Sequence, residues 1–274
     1  MQLHTRKGTI VYRMLLALVI LSDAFDRLCM SSESKPKSEV MEDFSSSTPA
    51  RIAVGRAGTR PPTSVWLKFR VDHALARDAV ISELSDQFID NFAVANDSFC
   101  VQSSVASKEE FIQFPPRGKI VDTSALEKLK SHCSSGNEVQ IVISDGLSAK
   151  AVEKNAGDLL PMIVDGLSMN NISQGKPIVV RFGRVAIADQ IAFALQARLV
   201  INLIGERPGL SSAEGLSAYI TYNPSPKTIS SDRTVVSNIH SRGTPAVEAG
   251  AYIVRLVKTI LERKVSGVEL QKLS

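Results

Sequence analysis

From residue 139 onward, short runs of β-branched and aliphatic residues recur at 139–143, 178–182, 199–204 and 218–222. Uninterrupted apolar runs of this length fit strands buried on both faces, since a half-exposed strand would alternate apolar with polar. The intervening stretches 148–160 and 186–196 read as helices. Strand and helix in alternation predict a parallel sheet covered on both sides. The last helix is the most clearly marked, with Thr244 as N-cap, Pro245 at the first helical position and Glu248 near the positive end of the dipole. Gly250, Ile253, Val254, Val257, Ile260 and Leu261 then line one face, and Gly267 lies just past the expected end.

The earlier half is patterned differently. Residues 63–80 place Val65, Trp66, Phe69, His73, Leu75 and Val80 at roughly helical spacing, after a loop at 55–62 that is rich in Gly and Pro. A Pro-Pro-Arg-Gly turn at 115–118 precedes a helix over 123–129, with Thr123 as its N-cap. Between 30 and 50 the chain is rich in Ser, Glu, Lys and Pro and short of large apolar side chains, which predicts a flexible linker. Three regions follow: a flexible extension over 1–50, a small helical domain over 51–115 and a sheet domain over 116–274.

Composition narrows the function classes. The net charge of +4, from 32 basic against 28 acidic residues, contains no Lys/Arg block and argues against a nucleic-acid binder. Cys29, Cys100 and Cys133 are odd in number and far apart, so a reducing compartment is the simpler reading. The N-terminus pulls the other way. Arg6, Lys7 and Arg13 precede an apolar run at 14–21, like the basic and hydrophobic regions of an export signal. That run is too short to span a bilayer, and no clean small-x-small cleavage site follows it. A docking helix and a dispensable extension are the alternatives.

Much familiar chemistry is missing. No Gly-x-Gly-x-x-Gly or Walker pattern exists to cradle a nucleotide. His4, His73, His132 and His240 show no metal-ligand spacing. Ser144 lacks the Gly-x-Ser-x-Gly elbow of a hydrolase, so Ser144 or Ser148 reads as a helix cap. Ligands of open α/β sheets bind beyond the carboxyl ends of strands, which selects the loops at 144–148, 183–185 and 205–209. Asp232, Arg233 and the Ser237-Asn238-Ile239-His240 run form a polar stretch that suits either a ligand or a hydrogen-bonded loop before the last helix. Glu206 beside Arg207 has the bland reading of a solvated ion pair.

The phrases Val-Gly-Arg-Ala-Gly-Thr-Arg-Pro (54–61), Val-Ile-Ser-Asp-Gly-Leu-Ser (142–148), Arg-Phe-Gly-Arg-Val (181–185), Asp-Gln-Ile (189–191), Gly-Glu-Arg-Pro-Gly-Leu (205–210), Ser-Asp-Arg-Thr (231–234) and Ser-Asn-Ile-His (237–240) resemble the ethanolamine ammonia-lyase light chain over roughly 51–267. The resemblance implies a Rossmann-like sheet domain in a hetero-oligomeric, adenosylcobalamin-dependent enzyme that converts ethanolamine to acetaldehyde and ammonia. It implies that a large subunit carries the substrate and radical chemistry while the small one closes over the cofactor. Carried over by position, Val185 and Glu206 match cobalamin contacts. Val235 takes a third contact position where the family has Cys, which leaves room for a main-chain contact. The chain lacks Asp-x-His-x-x-Gly, in keeping with base-on cobalamin. The family also implies a cytoplasmic location, within a bacterial microcompartment, with residues 10–27 available for encapsulation.

Two other classes compete. One is a cobalamin carrier or scaffold that has lost the lyase partner, and the other a self-sufficient α/β enzyme acting on a small metabolite through Asp145, Arg184 and Glu206.

Overall fold

The valine- and isoleucine-rich runs form the centre of a six-stranded mixed sheet in the computed structural model, which describes Phe44 and residues 50–273. Apart from Phe44 and Ala50, the expected extension 1–50, with its signal-like and encapsulation readings, lies outside the described residues. The chain divides into two units, 1–65 and 66–274. In the first, Ala57 and Arg60 exchange backbone hydrogen bonds of 2.7 and 3.3 Å around a left-handed Gly58, which is the expected turn.

The second unit carries most of the helix α1 (Thr63–Ile81), followed by α2 (Asp86–Asn96), β1 (Phe99–Gln102), α3 (Lys108–Gln113) and α4 (Thr123–His132). Then come β2 (Val139–Ser144), α5 (Ala149–Met169), β3 (Ile178–Arg181), α6 (Ile187–Ala194) and β4 (Leu199–Gly205). The chain ends with β5 (Leu216–Tyr222), β6 (Arg233–Ile239), α7 (Ala246–Arg263) and α8 (Gly267–Gln271). The sheet order is β1-β3-β2-β4-β5-β6. Strands β1, β3, β2 and β4 are parallel, whereas β5 and β6 are antiparallel.

Every residue of β2 and β4 is buried. Ile141, Ile143, Ile201 and Leu203 face one layer, where they pack against Leu159, Ile163, Ile253 and Val257 of α5 and α7. Val142 and Val200 face the opposite layer with Leu129, Ile187 and Ile191 of α4 and α6. Burial of each such side chain contributes roughly 1.5–3 kcal/mol.

Four expectations need correcting. The 218–222 run is a strand but not a parallel one, because the segment 206–215 before it is shorter than the dozen or so residues and helix that a parallel crossover needs. The polar stretch 233–239 is a strand, not a loop, because its register against β5 supplies the ladder bonds that its composition obscures. Helix α5 continues through Pro161, since Ile163 and Leu167 beyond it are fully buried and offset the lost backbone bond. At the ends of helices, Pro245 occupies the N-cap position of α7 with no side-chain bond, Asp122 precedes α4, and Gly267 opens α8. The stretch 51–115 contributes β1 to the sheet and Ile89 and Phe92 to its core, in addition to its helices.

Candidate functional site

The carboxyl ends of β2, β3 and β4 present the three loops selected from sequence, and a lattice of buried polar groups ties them together. Asp145, 1% exposed, follows β2 directly. Its carboxylate accepts the Phe182 N–H at 2.8 Å and the Gly183 N–H at 2.9 Å. These charge-assisted bonds hold a turn in which Phe182 takes a left-handed conformation (φ 56°) that costs a non-glycine residue about 1–3 kcal/mol. Lys108, also buried, donates to the Gly146 carbonyl at 3.0 Å. Burial pushes the Asp145 carboxyl up to about 6, although Lys108 and the backbone donors pull it down, and burial likewise pushes the Lys108 ammonium below its ordinary value.

The second loop is clamped from the other side. Arg184 lies over the Phe111 ring at 4.1 Å and donates to the Phe111 carbonyl at 2.9 Å. The Leu147 N–H donates to the Gly205 carbonyl at 2.9 Å. Gly146 is left-handed (φ 57°), and any side chain there would run into that same carbonyl, so the β2 and β4 loops need glycine to approach this closely. Ser148 caps α5 by accepting the Ala151 N–H at 3.2 Å.

The sequence-predicted contacts meet along one cross-strand row. Asn202 of β4 pairs with Tyr219 of β5, and Tyr219 pairs with Val235 of β6. Directly paired residues share a sheet face. The neighbouring Leu203 and Ala218 turn to the opposite face and its core. Asn202, 1% exposed, accepts from Ser144 Oγ at 3.0 Å and donates to the Val185 carbonyl at 3.1 Å. The Val185 N–H donates to no group among the described residues. Tyr219 donates to Glu206 Oε1 at 2.7 Å. Val235 is 45% exposed. Residues 185, 206 and 235 are therefore linked through a single row, on a stretch of sheet that stays partly open.

The row is secured from below. Arg233, paired with Thr221 two rungs on and so on the same face, forms an ion pair of 2.5 Å with Asp189 of α6, and both side chains are under a tenth exposed. Burial raises the Asp189 carboxyl, and the bond and charge of Arg233 partly offset this.

Some expected groupings are not formed. Asp145 is sealed from solvent, so Asp145, Arg184 and Glu206 do not line one open catalytic site. Glu206 takes Tyr219 as its partner rather than Arg207. Asp232 accepts the Ile229 N–H and His240 bonds Asn238, which places both in local turns. Among the described residues no group of three His, Cys, Asp or Glu side chains is arranged to hold a metal ion, and no helix is long and apolar enough to cross a membrane.

Sequence reasoning passed over Asn202 and Tyr219. An asparagine inside the run Leu-Val-Ile-Asn-Leu-Ile was the available signal, because a buried amide is costly unless both its ends are bonded. Tyr219 had no comparable mark, since tyrosine is ordinary in strands.

Comparison with known proteins identifies the family. The model of the family Ethanolamine ammonia-lyase light chain (EutC) matches residues 38–271. An ethanolamine ammonia-lyase small subunit of Clostridium tetani is 47% identical over 224 residues, covering 82% of this chain and 74% of that protein. The small subunit of Clostridium acetobutylicum is 43% identical over 235 residues, covering 86% and 96% respectively. That of Fusobacterium nucleatum is 43% identical over 224 residues, covering 82% and 75%. A family match over residues 38–271, with relatives 43–47% identical over more than four fifths of the chain, means that the chain belongs to the ethanolamine ammonia-lyase light chain family.

Proposed function

We propose that this chain is the small subunit of an adenosylcobalamin-dependent ethanolamine ammonia-lyase, and that the Val185, Glu206 and Val235 region is its wall of the cofactor site. The observation that carries the reading is the convergence of those three positions on the Asn202–Tyr219–Val235 row. The four parallel strands, with α5 on one face and α4 and α6 on the other, are read as a Rossmann-like half that sets the loops bearing Val185 and Glu206 beyond the carboxyl ends of its strands.

The donor set suits a corrin edge, whose amide side chains offer both N–H donors and carbonyl acceptors. Glu206 keeps Oε2 for an amide N–H while Oε1 is held by Tyr219. The Val185 N–H supplies a donor at the start of α6. Val235, at the position where the family resemblance has Cys, presents an apolar surface and its backbone. When bound, adenosylcobalamin supplies the radical chemistry of the deamination, in a base-on form. The residues of this chain bind and orient it and exclude water from one side, with substrate handled by the large subunit. No group of this chain serves as acid, base or nucleophile.

Reconstitution tests the reading. The purified chain, a large subunit of the same family and adenosylcobalamin are mixed, and acetaldehyde is measured. Turnover that needs both chains is the expected result. Cofactor binding without turnover points instead to a carrier or scaffold, and turnover by this chain alone contradicts the subunit role.

A further inference from the structure

Glu206 stands at the first position after β4, and its backbone is fixed by the N–H donated to the Gly215 carbonyl at 3.0 Å. Its side chain is less constrained. A free glutamate has several rotamers of similar energy, and holding one costs conformational entropy. The structure offers that carboxylate one side-chain partner among the described residues, the Tyr219 hydroxyl at 2.7 Å. Tyr219 has fewer side-chain torsions to fix than Glu206. It lies between Asn202 and Val235 in the ladder, half-buried, with only a short phenol reach above the sheet.

The chemistry of the donor matters as much as its place. An arginine or lysine in this position would pair with the carboxylate and neutralise it. A phenol orients the group through one neutral bond and leaves its charge and its second oxygen to a ligand. Burial and the adjacent Glu206 push the Tyr219 hydroxyl up to about 12, with Arg233 acting weakly in the other direction, so it donates across the whole working range of pH. Arg233 itself is engaged with Asp189 and is not drawn to Glu206.

We propose that Tyr219 is a positioning residue, which fixes the Glu206 carboxylate in the orientation that receives an amide N–H from the corrin edge. This rests on the reading of Glu206 as a cofactor contact. Tyr219 itself need not touch the cofactor. Its effect on binding passes through Glu206, so the two residues form one energetic unit.

A double-mutant cycle on the reconstituted complex decides the matter. Adenosylcobalamin is titrated by absorbance into complexes carrying the unaltered chain, Tyr219→Phe, Glu206→Ala and both changes, with thermal midpoints measured alongside. Tyr219→Phe keeps the ring and its packing, so its midpoint stays close to that of the parent. Its affinity falls about five- to tenfold, a loss of the size of one ordinary net hydrogen bond. In the Glu206→Ala background the same change has no further effect. Equal weakening in both backgrounds, or no weakening with Glu206 present, overturns the positioning role while Glu206 keeps its own. An unchanged dissociation constant for Glu206→Ala removes the contact itself and overturns both readings.

Discussion

Around the site the parallel half of the sheet seals its polar side chains, whereas the antiparallel extension seals Ser217 and Thr221 but leaves the Tyr219–Val235 rung partly open. Around β2, β3 and β4, polar groups are sealed. Asp145, Ser144 and Asn202 are each at most 1% exposed, and their bonds run to protein partners. In β5 and β6 the same face stays partly open, with Tyr219 half-buried and Val235 at 45% exposure. The reason is layering. Helices α4 and α6 cover the parallel strands, while the short connections of the antiparallel strands bring no further helix to that face. Buried polar groups make the loops rigid, and the open strands leave side chains for a ligand; a cofactor wall requires both.

Three perturbations test this contrast, from the largest expected effect to the smallest. The Arg233–Asp189 ion pair is the joint between the halves. Arg233→Met strands a buried carboxylate and is expected to cost about 3–5 kcal/mol in denaturant unfolding. A cost below about 1 kcal/mol, the range of surface pairs, would mean that the extension is not fastened through this pair.

Next is the buried carboxyl of the parallel half. Asp145 sits at about 6 in the fold against an ordinary 3.8, so ionising it works against folding. The stability this group contributes is complete below its ordinary value and is lost as pH rises from about 4 through 6. Asp145→Asn cannot ionise, and its stability relative to the parent should rise by as much as about 3 kcal/mol between pH 4 and 7, on top of a constant loss from the one backbone N–H that its amide nitrogen cannot accept. Unfolding curves that run parallel across this range would show that burial does not govern the group.

The smallest effect on stability belongs to the open row. Val235→Ser, at a half-exposed position, should move the unfolding free energy by no more than about 0.5 kcal/mol. Cofactor affinity should fall, because an apolar contact is lost. A large stability loss with intact affinity would place Val235 in the core and not on a binding face.

Legibility in the sequence followed the same divide. The runs at 139–143, 178–182 and 199–204 were readable because strands buried on both faces must be apolar throughout. β6 was not readable, since it mixes Arg233, Thr234, Ser237 and Asn238 with only Val236 and Ile239 buried, and nothing local distinguishes an open edge strand from a polar loop. Strand direction at β5 was accessible in principle from the short 206–215 connection. That the loops at 144–148, 183–185 and 205–209 follow strands was legible, because glycine clusters after strands have a physical meaning there, but their partners were not. Asn202 and Tyr219 reach Val185 and Glu206 across the sheet, and such pairings exist only once register is set.

Hydrogen exchange of the reconstituted complex, with and without adenosylcobalamin, tests most directly whether the row is a cofactor wall. Free of cofactor, the Val185 amide lacks a partner among the described residues and should exchange quickly. Adenosylcobalamin should slow exchange in peptides spanning 183–186 and 233–237 while leaving the sealed 139–144 strand unchanged. Protection elsewhere, with those two peptides unaffected, would contradict the account.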